Sequence, residues 1–279
     1  MTETYLSIDG LRIAYRTYGN PHHPPLILIH GVASHGGVWR HTVAALADAY
    51  FCVTVDLLGH GGSDKPRGGD YRIATQARRV LAVADALGLE TFGLFGHSMG
   101  GQIAMTIAST LAPERVTALV NVSGVATGKL LPANLRRSHL RAIAYFWMPW
   151  LLDVSVRLLP MPGLIDWTYG MWFANAVPEE WIREDMALTH LPGQHNTYLP
   201  VLEAVAHADL TDRLPHINAP TLIIFGRDDQ VVPPSDGDLA HRLIPNSQMV
   251  WLNGIGHFPM IEDTPAYLAA VTTMFKPEA

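Results

Sequence analysis

The sequence predicts an α/β fold in which a doubly wound, mainly parallel sheet carries helices on both faces and an inserted helical cap. Three observations lead there. Short β-branched and aliphatic runs alternate with helix-length segments, the pattern that builds a parallel sheet covered on both sides. The alternation stops between about Thr127 and His207, where no strand-like run occurs and Pro132, Pro149, Pro160, Pro162, Pro178, Pro192 and Pro200 punctuate helical pieces. At 279 residues with 48% hydrophobic and 16% charged side chains, the chain can bury a large core and lacks the polar signature of disorder. Residues 1–127 and 208–279 are expected to form the core, and residues 128–207 the cap.

The strand-like runs are Pro25 to His30, Phe51 to Asp56, Thr91 to Phe95, Val116 to Val122, Thr221 to Phe225 and Gln248 to Leu252. Ahead of them, Tyr5 to Ile8 and Leu11 to Tyr18 flank Asp9-Gly10 and read as an antiparallel hairpin. Thr75 to Leu87 has apolar residues at helical spacing and stops before Gly88, a C-terminal cap. Helices are also expected from about Gln102 to Leu111 and from about Pro265 to Phe275.

The formal charge of −6, with no run of Lys or Arg, offers no footprint for nucleic acid or anionic lipid. The start, Met1-Thr-Glu-Thr-Tyr5, has neither the basic nor the apolar part of a signal peptide, which predicts a cytoplasmic protein. The apolar stretch Ala142 to Leu152, broken by Pro149, is far short of the roughly 20 residues that span a bilayer. Cys52 is the only cysteine, so neither an intramolecular disulfide nor a multi-cysteine metal site is possible, and its neighbours Phe51 and Val53 place it as a buried strand thiol.

Gly96-His97-Ser98-Met99-Gly100 follows one strand and opens a helix, the context of a G-x-S-x-G nucleophile elbow. On so sharp a turn the residues two before and two after the serine crowd each other, and glycines meet that need. The turn presents the Ser98 hydroxyl to open space at a helix N-terminus, where developing negative charge is favoured.

A serine hydroxyl needs a base to take its proton. Of the fourteen histidines, His257 alone combines a glycine-flexed loop, Asn253-Gly-Ile-Gly-His257, with a position directly beyond the last strand. A carboxylate must then orient the imidazole. Asp228 and Asp229 both stand at the exit of the Thr221 to Phe225 strand, while Asn121-Val-Ser-Gly124 after the preceding strand contains no acid.

In the order serine, acid, histidine, and in its elbow, the chain resembles the α/β-hydrolases over nearly its whole length except the cap. The loop after the penultimate strand in that family often reads G-x-x-D-x-x-x-P, and Gly226, Asp229 and Pro233 fit it, so the resemblance makes Asp229 the triad acid and Asp228 a solvated or loop-bracing carboxylate. It also implies an oxyanion hole from the backbone amides of Val32, in His30-Gly31-Val32, and Met99, with Gly31 letting the main chain approach. Asp56-Leu-Leu-Gly-His-Gly-Gly-Ser-Asp64 resembles a structural loop of the family.

The resemblance implies a carboxylic ester hydrolase acting on a small-molecule substrate through an acyl-enzyme, without cofactor. Ser98 disfavours the haloalkane dehalogenase and epoxide hydrolase branches, which place aspartate at the elbow. Ser-Met-Gly-Gly and Gly-Arg-Asp-Asp also resemble the hydrolases of aromatic ring-fission products, although Gly31 to Gly37 is less glycine-rich than their oxyanion segment. Carbon-carbon hydrolysis, lactone hydrolysis and perhydrolysis are the alternatives on the same triad. A small-molecule receptor is the alternative from another class. Neither His22-His23 nor His30 with His35 has an acid at metal-ligand spacing, so no metal is expected. Five of seven tryptophans, Trp147, Trp150, Trp167, Trp172 and Trp181, fall in the insertion with Phe146, Met148, Met161, Met171 and Phe173. Most are expected to fill a small cap core, and some to roof the substrate cavity.

Overall fold

The structure is a computed structural model that describes residues 3–129, 167, 169–189 and 191–275. Eight strands form one sheet in the order β1-β2-β4-β3-β5-β6-β7-β8. β1 (Thr4–Ile8) and β2 (Leu11–Tyr18) are the antiparallel hairpin, closed by Asp9 and Gly10 with φ of 53° and 77°. Two positive φ angles match the twist of the flanking strands, and Asp-Gly adopts them at low cost. β2 runs antiparallel to β4 (Phe51–Val55). From there through β3 (Pro25–Ile29), β5 (Phe92–His97), β6 (Val116–Val122), β7 (Thr221–Gly226) and β8 (Ser247–Leu252) every pairing is parallel.

Parallel neighbours need crossovers, which α1 (Arg40–Leu46), α2 (Ile73–Ala86), α3 (Met99–Thr106) and the helix Pro234–Leu243 supply. Because strand side chains alternate between faces, one sheet feeds two cores. Ile27, Ile29, Leu94, Leu119, Ile223 and Phe225 pack with Val80 and Val83 of α2 and Ile103 of α3. Leu26, Leu28, Phe95, Val120, Leu222 and Ile224 pack on the other face with Val43 of α1 and with Tyr267 and Val271 of the last helix, Thr264–Met274. Cys52 is buried in this second core, and desolvation pushes its thiol up to about 12.

The boundary furthest from the sequence expectation is the start of the helix after β5. The helix after β5 begins at Met99 rather than near Gln102, and it continues as a π-type turn, Ile107–Leu111, where Ala112 N–H donates to the Ile107 carbonyl at 3.0 Å. Gly100 and Gly101 have poor helix propensity, which hides the first turn from a reading of periodicity; packing against β3 and β6 overrides it.

Between β6 and β7 the described residues contain no strand. They include the helices Glu179–Thr189 and Tyr198–Ala206 and the short turns Gln194–Asn196 and Leu214–His216. Trp147, Trp150, Phe146, Met148 and Met161 lie outside the described residues. Tyr169, Phe173, Ile182 and Met186 are buried in the same apolar cluster as Phe95, Val122, Phe258 and Met260, so these described residues of the insertion share the core of the sheet. Among the described residues no helix is long and apolar enough to cross a membrane.

Candidate active site

β5 ends at His97, and the chain reverses within one residue into α3. That residue is Ser98, with φ 54° and ψ −119°, a region that L residues avoid at a cost of about 1–3 kcal/mol. Three main-chain bonds hold it there: Ser98 N–H donates to Val122 O at 3.0 Å, and its carbonyl accepts Gln102 N–H at 3.2 Å and Val125 N–H at 3.3 Å. A Cβ at Gly96 would lie 2.3 Å from the Gly100 carbonyl oxygen, and one at Gly100 would lie 2.1 Å from that of Ile29. Both positions therefore demand glycine.

β8 delivers His257 through the Asn253 to Gly256 loop, and β7 delivers Asp229. The His257 Nδ1 to Asp229 Oδ2 distance is 2.8 Å, with both side chains buried. The other oxygen, Oδ1, accepts the amides of Val231 at 2.8 Å and Val232 at 3.0 Å, so the carboxylate is fixed by its own loop. Asp228, one residue earlier, is exposed. An Nδ1–H donated to a carboxylate leaves Nε2 with its lone pair free to accept a proton.

The end of β3 supplies His30, Gly31 and Val32. A Cβ at Gly31 would stand 2.9 Å from the Ser98 Cβ, so the main chain passes directly beside the elbow. His30 fixes its course. Its Nε2 accepts the Leu57 amide at 3.0 Å, which leaves Nδ1–H to donate to the Gly31 carbonyl at 2.7 Å. Fixing that carbonyl also fixes the direction of the Val32 N–H, which lies on the opposite side of the same planar trans peptide. Met99 N–H belongs to the first turn of α3, where amides have no acceptor within the helix.

The profile of the alpha/beta hydrolase fold family matches residues 24–155. A protein of Klebsiella pneumoniae (strain 342), whose name, RutD, proposes carbamate hydrolysis, is 32% identical over 255 residues, 88% of this chain and 89% of its own. The chain belongs to the α/β-hydrolase family. Among solved structures of α/β-hydrolases, an esterase of Exiguobacterium antarcticum is similar in fold, with a TM-score of 0.82 at 23% identity, over 99% of this chain and 100% of its own. A variant of CumD, a meta-cleavage product hydrolase of Pseudomonas fluorescens IP01, has a TM-score of 0.79 at 25% identity, over 99% and 98%.

The structure adds residues to this α/β-hydrolase site that the sequence reading passed over. His97 Nε2–H donates to the His257 carbonyl at 2.8 Å, tying the elbow to the loop opposite. His97 also lies 4.6 Å from the Phe258 ring, and Phe258 stacks on Phe173 at 4.9 Å and 7°. Trp181 meets both Phe173 and Phe258 edge-on at 4.9 and 5.3 Å, so aromatic contact runs from the elbow into the insertion. Asp56 accepts the amides of Gly36 at 2.7 Å and Gly62 at 2.8 Å, bracing the segment after Val32. Proximity to the G-x-S-x-G and His-Gly motifs was the only signal for His97 and His30. Among the described residues no three His, Cys, Asp or Glu side chains converge as a metal site would require.

Burial pushes His30 down to about 4, His60 to about 3, and His97 well below the usual histidine range. In the unfolded chain all three titrate near 6.5. Above that pH both states are neutral and the shifts contribute nothing. As pH falls below about 6.5 the unfolded chain takes up protons that the native sites refuse, at up to about 1.4 kcal/mol per pH unit for each histidine. Unfolding free energy from urea titrations should therefore fall steadily from pH 7 to pH 4.5. His60→Gln should reduce that slope by about one proton; an unchanged slope would show that His60 does not titrate between the two states.

Proposed function

We propose that the chain is a serine hydrolase that cleaves carboxylic esters of apolar small molecules through an acyl-enzyme intermediate. Ser98 is the nucleophile, His257 the general base and Asp229 the carboxylate that orients it. The amides of Val32 and Met99 form the oxyanion hole, and residues 128–207 form a cap over the core of 1–127 and 208–279. The observation that carries this reading is the buried 2.8 Å contact between His257 Nδ1 and Asp229 Oδ2, made in the loops that flank a serine on a strained elbow.

Ser98 Oγ attacks the ester carbonyl while His257 Nε2 takes its proton, and the oxyanion charge is received by the Val32 and Met99 N–H groups. Collapse expels the alcohol, which leaves with the proton from His257. Water then attacks the acyl carbonyl as His257 Nε2 again accepts the proton, and collapse expels Ser98 Oγ, which takes that proton from His257 as the acid departs. Water is the only co-substrate these steps require. Asp229 holds the ring through Nδ1 in every step, stabilising the imidazolium and fixing its tautomer.

The name of the Klebsiella relative raises carbamates as a second acyl class for the same chemistry, since a carbamate presents the same electrophilic carbonyl. The Ser-Met-Gly-Gly and Gly-Arg-Asp-Asp motifs and the likeness to CumD keep carbon-carbon hydrolysis in the comparison. A panel of activated esters, carbamates, lactones and ring-fission dienones separates them, and many turnovers per molecule separate an enzyme from a receptor.

Ser98→Ala, with its fold intact by circular dichroism, should lose at least about a thousandfold in ester turnover. A variant with wild-type turnover would end the reading. Asp229→Asn should cost several orders of magnitude while Asp228→Asn costs less than about threefold, and the reverse order would reassign the acid.

Phe173 and Trp181 pack on Phe258, whose ring meets His257, and are proposed as an apolar wall of the site. Each acyl methylene buried against such a wall contributes about 0.8 kcal/mol, roughly fourfold in kcat/KM, until the pocket is full. kcat/KM should rise from acetate to medium-chain esters and then fall, with charged acyl groups poor. Acetate as the best substrate would show that the wall does not receive the acyl chain.

A further inference from the structure

The loop that carries His257 is held from two sides. On the elbow side the His97 ring donates to the His257 carbonyl. On the other side the inserted segment takes over: His257 N–H donates to Trp172 O at 2.7 Å, and Asn175 Nδ2 donates to Gly254 O at 2.8 Å. The two segments touch main chain to main chain, since a Cβ on Gly256 would lie 2.7 Å from the Ala174 nitrogen and 2.8 Å from the Trp172 oxygen.

Glu262, at the end of the short helix Pro259–Glu262, stands where they meet. Its Oε1 accepts Gly256 N–H at 3.0 Å and Phe258 N–H at 3.2 Å, the two amides that bracket His257. Its Oε2 accepts Ala174 N–H at 2.8 Å and Asn175 N–H at 3.3 Å from the inserted segment, and Gly256 N–H again at 3.1 Å. One carboxylate thus collects donors from both segments, in charge-assisted bonds that are stronger than neutral ones. Losing it would leave two amides on each side without their acceptor.

We propose that Glu262 is a positioning residue that locks residues 172–175 of the insertion to the His257 loop, so that the imidazole addresses Ser98 only while the insertion is seated. The inference rests on the roles proposed above for Ser98 and His257. Asp229 anchors the ring at Nδ1. A shift of the His257 main chain therefore pivots the ring about that anchor and swings Nε2 away from the hydroxyl. Misplacement of about 1 Å is enough to cost about a hundredfold in rate.

The test compares Glu262→Gln with Asp263→Ala in the full chain, using one activated ester. Asp263 accepts the Ala266 amide at 3.0 Å as an N-terminal cap of the last helix, so its loss should lower Tm and leave kcat within about twofold. Glu262→Gln should lower kcat by about 10- to 100-fold with KM within about threefold, and should slow fluorophosphonate labelling of Ser98 by a similar factor. Wild-type kcat and labelling rate in Glu262→Gln, with Ser98→Ala inactive, would overturn this proposal and leave the hydrolase reading standing; an active Ser98→Ala would overturn the reading itself. Should Glu262→Gln fail to fold, native-state hydrogen exchange on the wild type decides. The amides of Ala174, Asn175, Gly256 and Phe258 should share one opening free energy, and separate values for the two pairs would overturn the lock.

Discussion

The candidate site depends on one backbone constraint: at Ser98 a buried strand must turn into a buried helix with no residues to spare. The turn forces a positive φ at a serine, and it presses the first turn of α3 against β5 at Gly96 and against the end of β3 at Gly100 so closely that only hydrogen fits at either. Everything else is arranged around that point. β6 is drawn in because Val122 O accepts the serine amide, and β3 because Gly31 runs alongside its Cβ. The strain is tolerable only because the flanking strands are in the middle of an eight-stranded sheet with apolar cores on both faces.

Around the elbow, orientation is achieved by neutral histidines as much as by carboxylates. His30 and His97 each spend one ring N–H on a main-chain carbonyl, Gly31 and His257 respectively. Burial keeps both uncharged, and that state is what gives His30 an acceptor nitrogen for Leu57. A lysine or arginine could not serve, having no acceptor. Neutral rings also place no fixed positive charge beside a site in which imidazolium is proposed to form and vanish in each cycle.

The sheet and its crossovers were legible because alternation of side chains and helical spacing are written locally, as in Ile27 and Ile29 facing one core while Leu26 and Leu28 face the other. The elbow was legible because the glycines it needs fall within five consecutive residues, although the main chain that Gly100 meets belongs to β3. Asp228 and Asp229 could be separated from the residues alone only by family spacing; in space one is exposed and the other lies against His257. His30, His97 and Glu262 were not legible as participants. Each joins a main-chain neighbour or its own loop to a main-chain atom 27, 160 or 88 positions away, and a sequence carries no mark for where such a distant amide or carbonyl will come to rest. The start of α3 was hidden by glycines whose presence is explained by contact, not by helix propensity.

The groups proposed for the reaction come from β5, β7 and β8, and the insertion is threaded between the first of these and the other two. During synthesis the elbow residues emerge with β5 and β6, whereas the proposed base and its carboxylate follow only with β7 and β8, after the insertion. A chain cut short within β8 would present a strained serine with no partner to deprotonate it. If the proposed roles hold, the order of the chain would act as a timer: the Ser98 hydroxyl would be placed before its base is made, and armed only once β7 and β8 join the sheet.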